Sequence, residues 1–469
     1  MSSQDRSAAL TAHCLLLTVS DGLLPLCKNA RASVSLRLKA PHIYSSKLQK
    51  EALEAVAAIH PFRALRPPAD KVGEVAAVPY DVVNTVEARA LAAEKPYSFL
   101  HVSRPEIDLP PGTDLYSDEV YARAAENFQK LIRDCPLEIE GEPTLYLYRL
   151  VMGGHEQTGV AACVSVDEYD EGLIRKHEKT RPDKENDRTR HVLELRAQTG
   201  PVFLTYRPDR RIDALVAGAT TSSEPLYDFT AEDGVRHTVW RVAVPEQLAR
   251  CFEEVSLLYI ADGHHRAASA SRARAALREQ NENHNGDEEY NRFLAVIFPA
   301  DQMRILPYNR IVKDLNGLSE EEFLAKVGET FDITDDANPR GPGHGGHWHM
   351  YTGGKWYGLK LKKGEADSVG GDDDPVASLD VSVLQDNLLE PVLGIRDVRT
   401  DKRIDFVGGI RGTEELVRHV DSGAAAVAFA LYRTSIEDLL RVSDAEGIMP
   451  PKSTWFEPKL RDGILIHTI

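Results

Sequence analysis

The sequence predicts an α/β fold with mixed sheets, several hairpins and one large two-lobed unit. Short apolar runs typical of buried strands, such as 255–260 and 291–299, alternate with amphipathic segments at helical spacing. The Gly-Gly pairs at 153–154 and 353–354 each separate two strand-like runs, which indicates a hairpin. Because hairpin strands are antiparallel, a mixed sheet is favoured over a purely parallel one.

The individual elements follow from local patterns, taken in chain order. The run 72–83 predicts a short strand and a Pro-Tyr-Asp turn, and 98–107 predicts an extended segment. Ser117 and Ser319 precede amphipathic runs and are natural helix N-caps. Helices are expected at 85–95, 117–134, 319–331 and in the second half of 172–206. Helix and strand patterns alternate from residue 380 to the end.

Composition limits the class of protein. The chain has 469 residues, 42% of them hydrophobic, and a formal net charge of −17. That charge argues against a general affinity for nucleic acid or anionic membranes, and no apolar run reaches the roughly 18 residues of a membrane helix. The five cysteines form no C-x-x-C pair, which favours a reducing compartment. We therefore expect a cytoplasmic protein with no nucleic-acid or membrane partner.

Residues 1–48 differ from the rest, because they hold six Lys or Arg, eight Ser and only two acidic residues. This composition predicts an N-terminal extension that is either transit-like, with a mitochondrial or plastid location, or disordered. Residues 58–469 are expected to form the catalytic unit. Its N-terminal lobe would span 58–245 with a charged loop at 175–191, and its C-terminal lobe 246–469.

The motif "DGHHR", residues 262–266, stands between a strand pattern and a helix pattern. Gly263 permits a tight turn, and the helix that follows offers free N–H groups to an anion. Arg266 can bind a phosphate through two nitrogens, and His264 and His265 can donate from their rings. Asp262 is better suited to Mg²⁺ or to a substrate hydroxyl. The alternatives are a metal site and an ordinary helix cap.

The charged run "RKHEKTRPDKENDRTRH", 175–191, has the chemistry of a lid over an anionic substrate, and we expect it to face the 262–266 junction across a cleft. Glu178 could act as a general base, and Lys184 and Arg188 could neutralise charge on a transferred phosphoryl group. Three further candidates in this run are His177 and Arg181 for phosphate and Asp187 for a metal. The alternative is a solvated surface segment.

Two other segments carry weaker signals. Residues 450–459 contain a possible second anion grip formed by Lys452, Ser453, Thr454 and Lys459, or simply a buried Trp455-Phe456 anchor. The stretch "GHGGHWH", 343–349, suggests metal ligands, but a variable Gly-rich loop is favoured. The chain has no Walker A or protein-kinase glycine motif. A phosphoryl-transfer enzyme with this sequence is therefore of another type.

Seven stretches in order along the chain resemble a protein family known as domain of unknown function 1015. They are "HPFRALRP", "VPYDVV", "HEKTRPDKENDRTRH", "GPVFLTY", "ADGHHRAASA", "FLAVIFP" and "MPPKSTWFEPKLRDGILIH". The resemblance runs from about residue 58 to 469 and implies a kinase, since some members phosphorylate free L-serine with pyrophosphate. The Gly263-x-x-Arg266 element is also similar to ParB-like and sulfiredoxin-like proteins, which include archaeal ADP-dependent free-serine kinases.

Residue chemistry and resemblance together predict a small-molecule kinase that acts on L-serine. Pyrophosphate, ADP or ATP would be the donor, and Mg²⁺ would lie between donor oxygens and Asp262 or Asp187. Glu178 or Asp262 would deprotonate the hydroxyl. Two alternatives remain open at this point: a metal-dependent phosphatase or other hydrolase, and a non-catalytic binder of an anionic metabolite.

Overall fold

A computed structural model describes residues 57–335, 337–363 and 374–469. The predicted extension 1–48 lies outside the described residues, as does most of the Gly/Asp-rich insertion at 364–375. The described residues belong to one compact unit that spans 54–469.

The helices and strands alternate along the chain with short connections. The elements up to residue 299 are β1 Ile59–His60, β2 Leu65–Arg66, α1 Val72–Val75, α2 Thr85–Ala92, α3 Leu100–Ser103, α4 Asp118–Asp134, β3 Glu138–Ile139, β4 Tyr146–Met152, β5 His155–Ser165, α5 Val166–Asp170, β6 Ile174–Arg175, α6 Pro182–Leu195, β7 Ala197–Gln198, β8 Val202–Tyr206, α7 Arg210–Ser222, β9 Tyr227–Thr230, β10 Arg236–Arg241, α8 Pro245–Phe252, β11 Leu258–Asp262, α9 His264–Gln280 and β12 Arg292–Pro299. The later ones are β13 Ile305–Leu306, β14 Tyr308–Val312, α10 Glu320–Thr330, β15 Phe331–Asp335, β16 His347–Thr352, β17 Lys355–Leu361, α11 Asp380–Leu384, β18 Ile404–Gly408, α12 Glu414–Asp421, β19 Val427–Leu431, α13 Ile436–Asp444, β20 Trp455–Phe456 and β21 His467–Thr468.

The first sheet is mixed and has nine strands. Its order is β6-β11-β8-β12-β5-β4-β10-β9, and β1 also pairs with β5. The pairs β11–β6 and β12–β8 are parallel, whereas the other neighbours are antiparallel. The predicted hairpin at 153–154 joins β4 to β5. The α/β class with mixed sheets and hairpins is therefore confirmed.

The sheet is buried on both faces because its strands alternate between two cores. In β5, Val160, Ala162 and Val164 pack in a core with residues of α7, α8 and α9. Ala161 and Cys163 point the other way, into a core that continues to the second sheet. This two-residue period is the expected geometry of a strand with helices on one side and a second layer on the other.

The second sheet has six strands in the order β15-β17-β16-β19-β14-β18, all antiparallel. The predicted hairpin at 353–354 joins β16 to β17. Strands from both sides of the expected lobe boundary at 245/246 share the first sheet, since β11 and β12 belong to it. The change from one sheet to the other occurs between residues 299 and 308.

The C-terminal segment pairs with short strands and single residues from earlier parts of the chain. β20 pairs with β13, and β21 pairs with β7. Between them, Asp462 forms a bridge with Ala77, and Ile466 forms one with Leu65. These pairings carry residues 449–462 across the end of β11, where the predicted motif lies.

Two predicted extended segments are helical instead. Val72 and Val75 are buried and three residues apart, the spacing of one helix face, so 72–75 forms α1 rather than a strand. Residues 98–107 form α3 and a 3₁₀ turn at Pro105–Asp108, because Phe99 and its neighbours pack against α4. In both cases, tertiary packing overrides the β propensity of the local sequence.

The predicted helix starts have mixed outcomes. Ser319 caps α10 with a capping box, as expected. Ser117 stands at the N-cap of α4, but its side chain makes no capping hydrogen bond. The helix predicted at 85–95 forms α2, and its cap is Asn84, which receives the N–H groups of Val86 and Glu87.

Two further properties concern the described residues. Within 57–335, 337–363 and 374–469, no helix is both long and apolar enough to cross a bilayer. Cys135, Cys163 and Cys251 are free thiols.

A matched pair of glycine substitutions tests the packing of the first sheet. A Cβ at Gly159 in β5 would lie 2.9 Å from the Phe298 ring of β12. We expect Gly159→Ala to lower the free energy of unfolding by roughly 1–3 kcal/mol through overpacking. Gly218 in α7 has nothing within 4 Å of such a Cβ. Gly218→Ala should therefore stabilise the protein by up to ~1 kcal/mol. Urea unfolding measures both changes, and an equal response of the two variants would contradict this packing.

Candidate active site

The motif at 262–266 lies at a strand-to-helix junction, as predicted. β11 ends at Asp262 and α9 begins at His264. Gly263 between them has a φ of +93°, a left-handed conformation that glycine adopts readily. A Cβ at this position would also lie only 3.0 Å from the Nε atom of Arg266. The left-handed conformation therefore favours glycine at this junction, and the close contact with Arg266 adds to that preference.

The charged run at 175–191 faces this junction, which confirms the expected arrangement. Its first half is a loop, and its second half forms most of α6. The backbone N–H of Arg181 donates to Nε2 of His265 at 3.0 Å. The N–H of His177 donates to Nε2 of His264 at 3.4 Å, and the two histidine rings lie 4.4 Å apart between centroids.

A cavity of about 410 Å³ opens between the motif, the charged run and the C-terminal segment. Most of the predicted site residues line it: Glu178, Arg181, Lys184, Asp187, Arg188, Asp262, Gly263, His264, His265 and Lys452. Other lining residues had not been singled out from the sequence: Tyr80, Asp81, Arg104, Tyr116, Lys179, His191 and Arg399.

Four basic side chains in this cavity lack a carboxylate partner. They belong to Lys179, Lys184, Arg399 and Lys452, and no ion pair links any of them to a described residue. The ammonium of Lys184 bonds to the Tyr116 hydroxyl at 3.1 Å, and that of Lys452 lies 5.5 Å from the centre of the Tyr308 ring. The cavity therefore holds uncompensated positive charge in a chain whose net charge is −17.

Glu178 lies among these cations and has no hydrogen bond or ion pair to the described residues. Burial raises its pKa, and the positive charge of Lys452 partly opposes this rise. Glu178 and His264 also line a neighbouring hollow of about 100 Å³ and an outer groove of about 320 Å³. A carboxylate with free oxygens at the meeting point of three hollows has the access that a general base needs.

The two carboxylates predicted to bind a metal have protein partners. Asp187 accepts from the Tyr121 hydroxyl at 2.8 Å and pairs with Arg188 at 2.9 Å. Asp262 accepts from its neighbour's N–H at 2.8 Å and pairs with Lys459 at 2.9 Å. Burial alone would raise the pKa of Asp262, but the charges of Lys459 and then Arg266 hold it well below its usual range. Asp262 is therefore an anion at neutral pH and a poor proton acceptor.

Arg266 does not line the large cavity but a smaller neighbouring hollow of about 40 Å³, and its phosphate-binding role stays a prediction. Its side chain is 10% exposed and donates from Nη1 to the backbone oxygen of Pro201 at 2.5 Å. Its Nη2 atom lies 3.8 Å from Asp81 and 3.9 Å from Asp262. The guanidinium thus lies behind Gly263, among protein carboxylates, as a structural partner of the junction.

The predicted second anion grip divides between two roles. Lys452 lines the large cavity, and Thr454 and Lys459 line the 100 Å³ hollow beside it. The hydroxyl of Ser453 instead donates to the backbone oxygen of Pro450 at 2.6 Å and is buried. Lys452 has a φ of +59°, a strained conformation for a side chain of its size. Such strain is common where a side chain is held for a function.

The histidines around the site are neutral at physiological pH. Burial lowers the pKa of His177 and of His191 to about 4, with Arg188 lowering that of His191 further. Burial also lowers the pKa of His264 and of His265. His177 does not line the cavity, and its buried ring lies against that of His264.

Sequence patterns carried little signal for the other cavity residues. Asp81 and Tyr80 belong to the quoted stretch "VPYDVV", which marked them only as part of a turn. Lys179 lies inside the charged run, among many similar side chains. Arg399 follows a π-helical turn at Gln385–Leu389 and lies more than 200 positions from Glu178, so no spacing rule connects the two residues.

No cluster of three or more His, Cys, Asp or Glu side chains is arranged to hold a metal ion in the described part of the chain. Mg²⁺ stays a prediction, because this ion is commonly held by one or two carboxylates together with substrate phosphates. His344 and His347 make a ring contact of 4.1 Å with each other.

Comparisons with known proteins point to one family. Residues 59–382 match the model of a family described as "Protein of unknown function (DUF1015)". No curated protein matches the chain.

Several solved structures show a distant likeness. A conserved hypothetical protein from Pyrococcus furiosus has a TM-score of 0.32 and 13% identity over 66% of this chain and 95% of its own. A free serine kinase in complex with AMP has a TM-score of 0.33 and 14% identity, and the match covers 65% of this chain and 91% of the kinase. SbnI from Staphylococcus aureus, with a C-terminal truncation, has a TM-score of 0.34 and 11% identity, and the match covers 66% of this chain and 87% of SbnI. TM-scores this low carry no argument about activity.

Replacement of Arg266 tests whether it supports the junction. Because Arg266→Ala removes a buried guanidinium that bonds to the Pro201 oxygen and lies near Asp81 and Asp262, we expect the free energy of unfolding to fall by about 3 kcal/mol, although Lys459 still pairs with Asp262. Arg278→Ala, an exposed position on the same helix, is the control and should change it by less than ~0.5 kcal/mol. An Arg266→Ala protein as stable as wild type would show that the arginine is not a structural partner.

The buried neutral histidines predict a loss of stability in acid. His191 has a pKa of about 4 in the folded protein, against about 6.5 when unfolded. The unfolded state therefore binds the extra proton first, and stability falls as pH drops from 6.5 towards 4. His191→Gln keeps a donor for the Val102 oxygen but cannot titrate. Between pH 7 and pH 5, the free energy of unfolding measured in urea should fall by about 2 kcal/mol more for the wild type than for this variant. Equal losses would contradict the neutral state of His191.

Proposed function

The chain belongs to the DUF1015 family of proteins of unknown function, and we propose that it is a phosphotransferase that acts on the hydroxyl group of a small molecule. In its finer form, the proposal names free L-serine as the acceptor and pyrophosphate, ADP or ATP as the donor, as the family resemblance implies. The geometry of the cavity supports the reaction class, and the resemblance supports the choice of substrates.

One observation carries the proposal. The unpartnered carboxylate of Glu178 lies in the same cavity as four basic side chains that have no carboxylate partner. Phosphoryl transfer needs these two features together, since it requires cations for the phosphate oxygens and a base for the attacking hydroxyl. A cavity of about 410 Å³ lies within the size range of small-molecule sites.

The donor phosphates would lie against Lys184, Lys452 and Arg399. The acidic remainder of the protein repels a polyanion, so binding depends on these local charges. The Arg188 guanidinium already pairs with Asp187 and stacks 4.1 Å from the centre of the Tyr80 ring. Arg188 therefore supports the cavity wall, and because Asp187 offsets its charge, it attracts a phosphate less strongly than an unpaired lysine does.

Glu178 is the proposed general base. One of its oxygens takes the proton from the acceptor hydroxyl as the hydroxyl oxygen attacks the terminal phosphorus of the donor. The bond from this phosphorus to the bridging oxygen breaks, and the leaving phosphate or nucleotide keeps the electron pair. Glu178 suits this role better than Asp262, whose pKa is held low by Lys459 after the opposing effect of burial.

The acceptor would occupy the 100 Å³ hollow beside Glu178. Its polar lining carries both charges, with carboxylates from Asp81 and Asp262 and ammonium groups from Lys452 and Lys459. A molecule that bears an ammonium and a carboxylate is complementary to such a lining. Its small volume favours an acceptor of the size of serine.

The carboxylates in the cavity fit Mg²⁺, which prefers oxygen ligands. Asp81 would hold the ion together with donor oxygens, since its ion-pair contact with Arg266 is as long as 3.8 Å, whereas both oxygens of Asp187 and both oxygens of Asp262 already accept from protein donors. When bound, the ion neutralises charge on the donor phosphates and orients them.

The activity is tested with Mg²⁺, L-serine and, separately, pyrophosphate, ADP and ATP. We expect phosphoserine with at least one of these donors. Free phosphate released without serine would indicate a hydrolase, and binding without turnover would indicate a non-catalytic binder. Either result would overturn the proposal.

Glu178→Gln separates catalysis from binding. We expect kcat to fall roughly 10²–10⁴-fold, because the amide cannot accept the proton. The variant should still bind the donor, which is measured as the rise in Tm on adding the donor. Glu171→Gln, at an exposed position seven residues earlier, is the matched control and should keep full activity. An active Glu178→Gln enzyme would assign the base to another group.

Lys184→Met and Lys452→Met test the donor site. Each should raise the donor KM by about tenfold or more, since each removes a charge that has no competing protein partner. Lys130→Met changes an exposed lysine of α4 and serves as the control. Unchanged KM values in both cavity variants would exclude this part of the cavity as the donor site.

A further inference from the structure

We infer that His265, with His264 beside it, acts as a positioning residue that fixes the loop carrying Glu178 through ring-to-backbone hydrogen bonds, and that its Nε2 atom serves this contact rather than removing the proton of the acceptor. This inference rests on the proposed function for its catalytic meaning, because Glu178 is the base there. Its structural part stands on the contacts between α9 and residues 177–181.

The two adjacent histidines hold the loop at its two ends. Nε2 of His264 receives the N–H of His177, and Nε2 of His265 receives the N–H of Arg181. The three residues between these points are Glu178, Lys179 and Thr180. Two of them, Glu178 and Lys179, line the large cavity. The paired histidines thus span the segment that carries the proposed base and one of the unpartnered cations.

The donors in these bonds determine the state of the rings. A backbone N–H can only donate, so each Nε2 atom is the acceptor and carries no proton. A neutral histidine then holds its single proton on Nδ1. Nε2 of His265 is therefore occupied and is unavailable to remove a proton from the acceptor.

The same loop is tied to the C-terminal segment. The N–H of Met449 donates to the backbone oxygen of His177 at 2.8 Å. Lys452 follows three residues later in a strained backbone conformation, held by the hydrogen bond from Ser453 to Pro450. His177 therefore connects α9, the loop and the segment with Lys452, which brings Glu178 and Lys452 to one cavity.

One face of α9 continues the contact along α6. Ser269 donates to the backbone oxygen of Glu185 at 3.4 Å, and Arg272 bonds to Glu185 and Asn186 at 3.2 and 2.6 Å. His265, Ser269 and Arg272 are spaced four and three residues apart, so they lie on one side of the helix. The hydrogen bonds from the backbone of 177 and 181 to the rings of His264 and His265, called the histidine clamp here, are thus the first part of a continuous contact face of α9.

The test compares His265→Leu, which removes the acceptor, with His265→Gln, whose side-chain oxygen can still accept the Arg181 N–H. Hydrogen–deuterium exchange of a peptide covering 176–182, without substrate, follows the loop directly. We expect exchange to be on the order of tenfold faster in the Leu variant and close to wild type in the Gln variant. His265 is partly exposed, which favours folding of both proteins, and each Tm is measured.

The kinetic measurement uses the same variants. We expect His265→Leu to lower kcat at least tenfold with a smaller change in donor KM, and His265→Gln to keep most of the activity. His284→Leu, which removes a ring contact with Tyr290 beyond α9, controls for the loss of a histidine as such and should leave both readouts unchanged.

Two results would overturn the inference. Unchanged exchange in His265→Leu would show that the ring does not hold the loop. Equal loss of activity in both variants, with normal exchange, would show that the imidazole takes part in the chemistry. If the wild type phosphorylates none of the tested acceptors, the proposed function fails. The exchange experiment still decides whether the histidine clamp holds the loop.

Discussion

The site depends on one backbone constraint, the left-handed conformation of Gly263 between β11 and α9. The chain changes from strand to helix there, and a Cβ at this position would also lie 3.0 Å from Nε of Arg266. The junction directs the first turn of α9 towards the charged run and leaves Asp262 at the end of the strand. His264 and His265 then reach the backbone of the loop opposite, so the geometry of a single residue determines where the base-bearing segment lies.

The charges around this junction separate into two groups with different roles. Arg266 and Arg188 are paired with carboxylates or backbone oxygens, and they hold the walls of the cavity together. Lys184, Lys452 and Arg399 face the cavity without such partners. A paired buried arginine cannot bind a substrate phosphate without giving up its protein contacts, which would be unfavourable. The unpartnered cations have no such penalty, and this difference explains why the strongest motif arginine is the weaker candidate for phosphate binding.

Much of the fold could be predicted from periodicity, and the failures have a common cause. The hairpins at 153–154 and 353–354, the long helices and the strand entering the motif follow from patterns of apolar residues. The short segments 72–75 and 100–103 were predicted as extended and are helical, because four residues give too little periodicity to outweigh their packing partners. The charged run was correctly predicted to face the motif, although the sequence could not show which of its many charges would remain unpaired.

The sequence by itself determined the family, the α/β class, the strand-to-helix junction at 262–266 and the composition of the charged run, because each depends on residues close together in the chain. Only the tertiary structure decided which residues share the cavity. Arg399 and Lys452 reach it from distant segments, and the pairings of the C-terminal strands bring Lys452 next to Glu178. The structure also decided the state of each side chain, since the partner of a charge or the acceptor of a hydrogen bond is set by long-range contacts that no local pattern encodes.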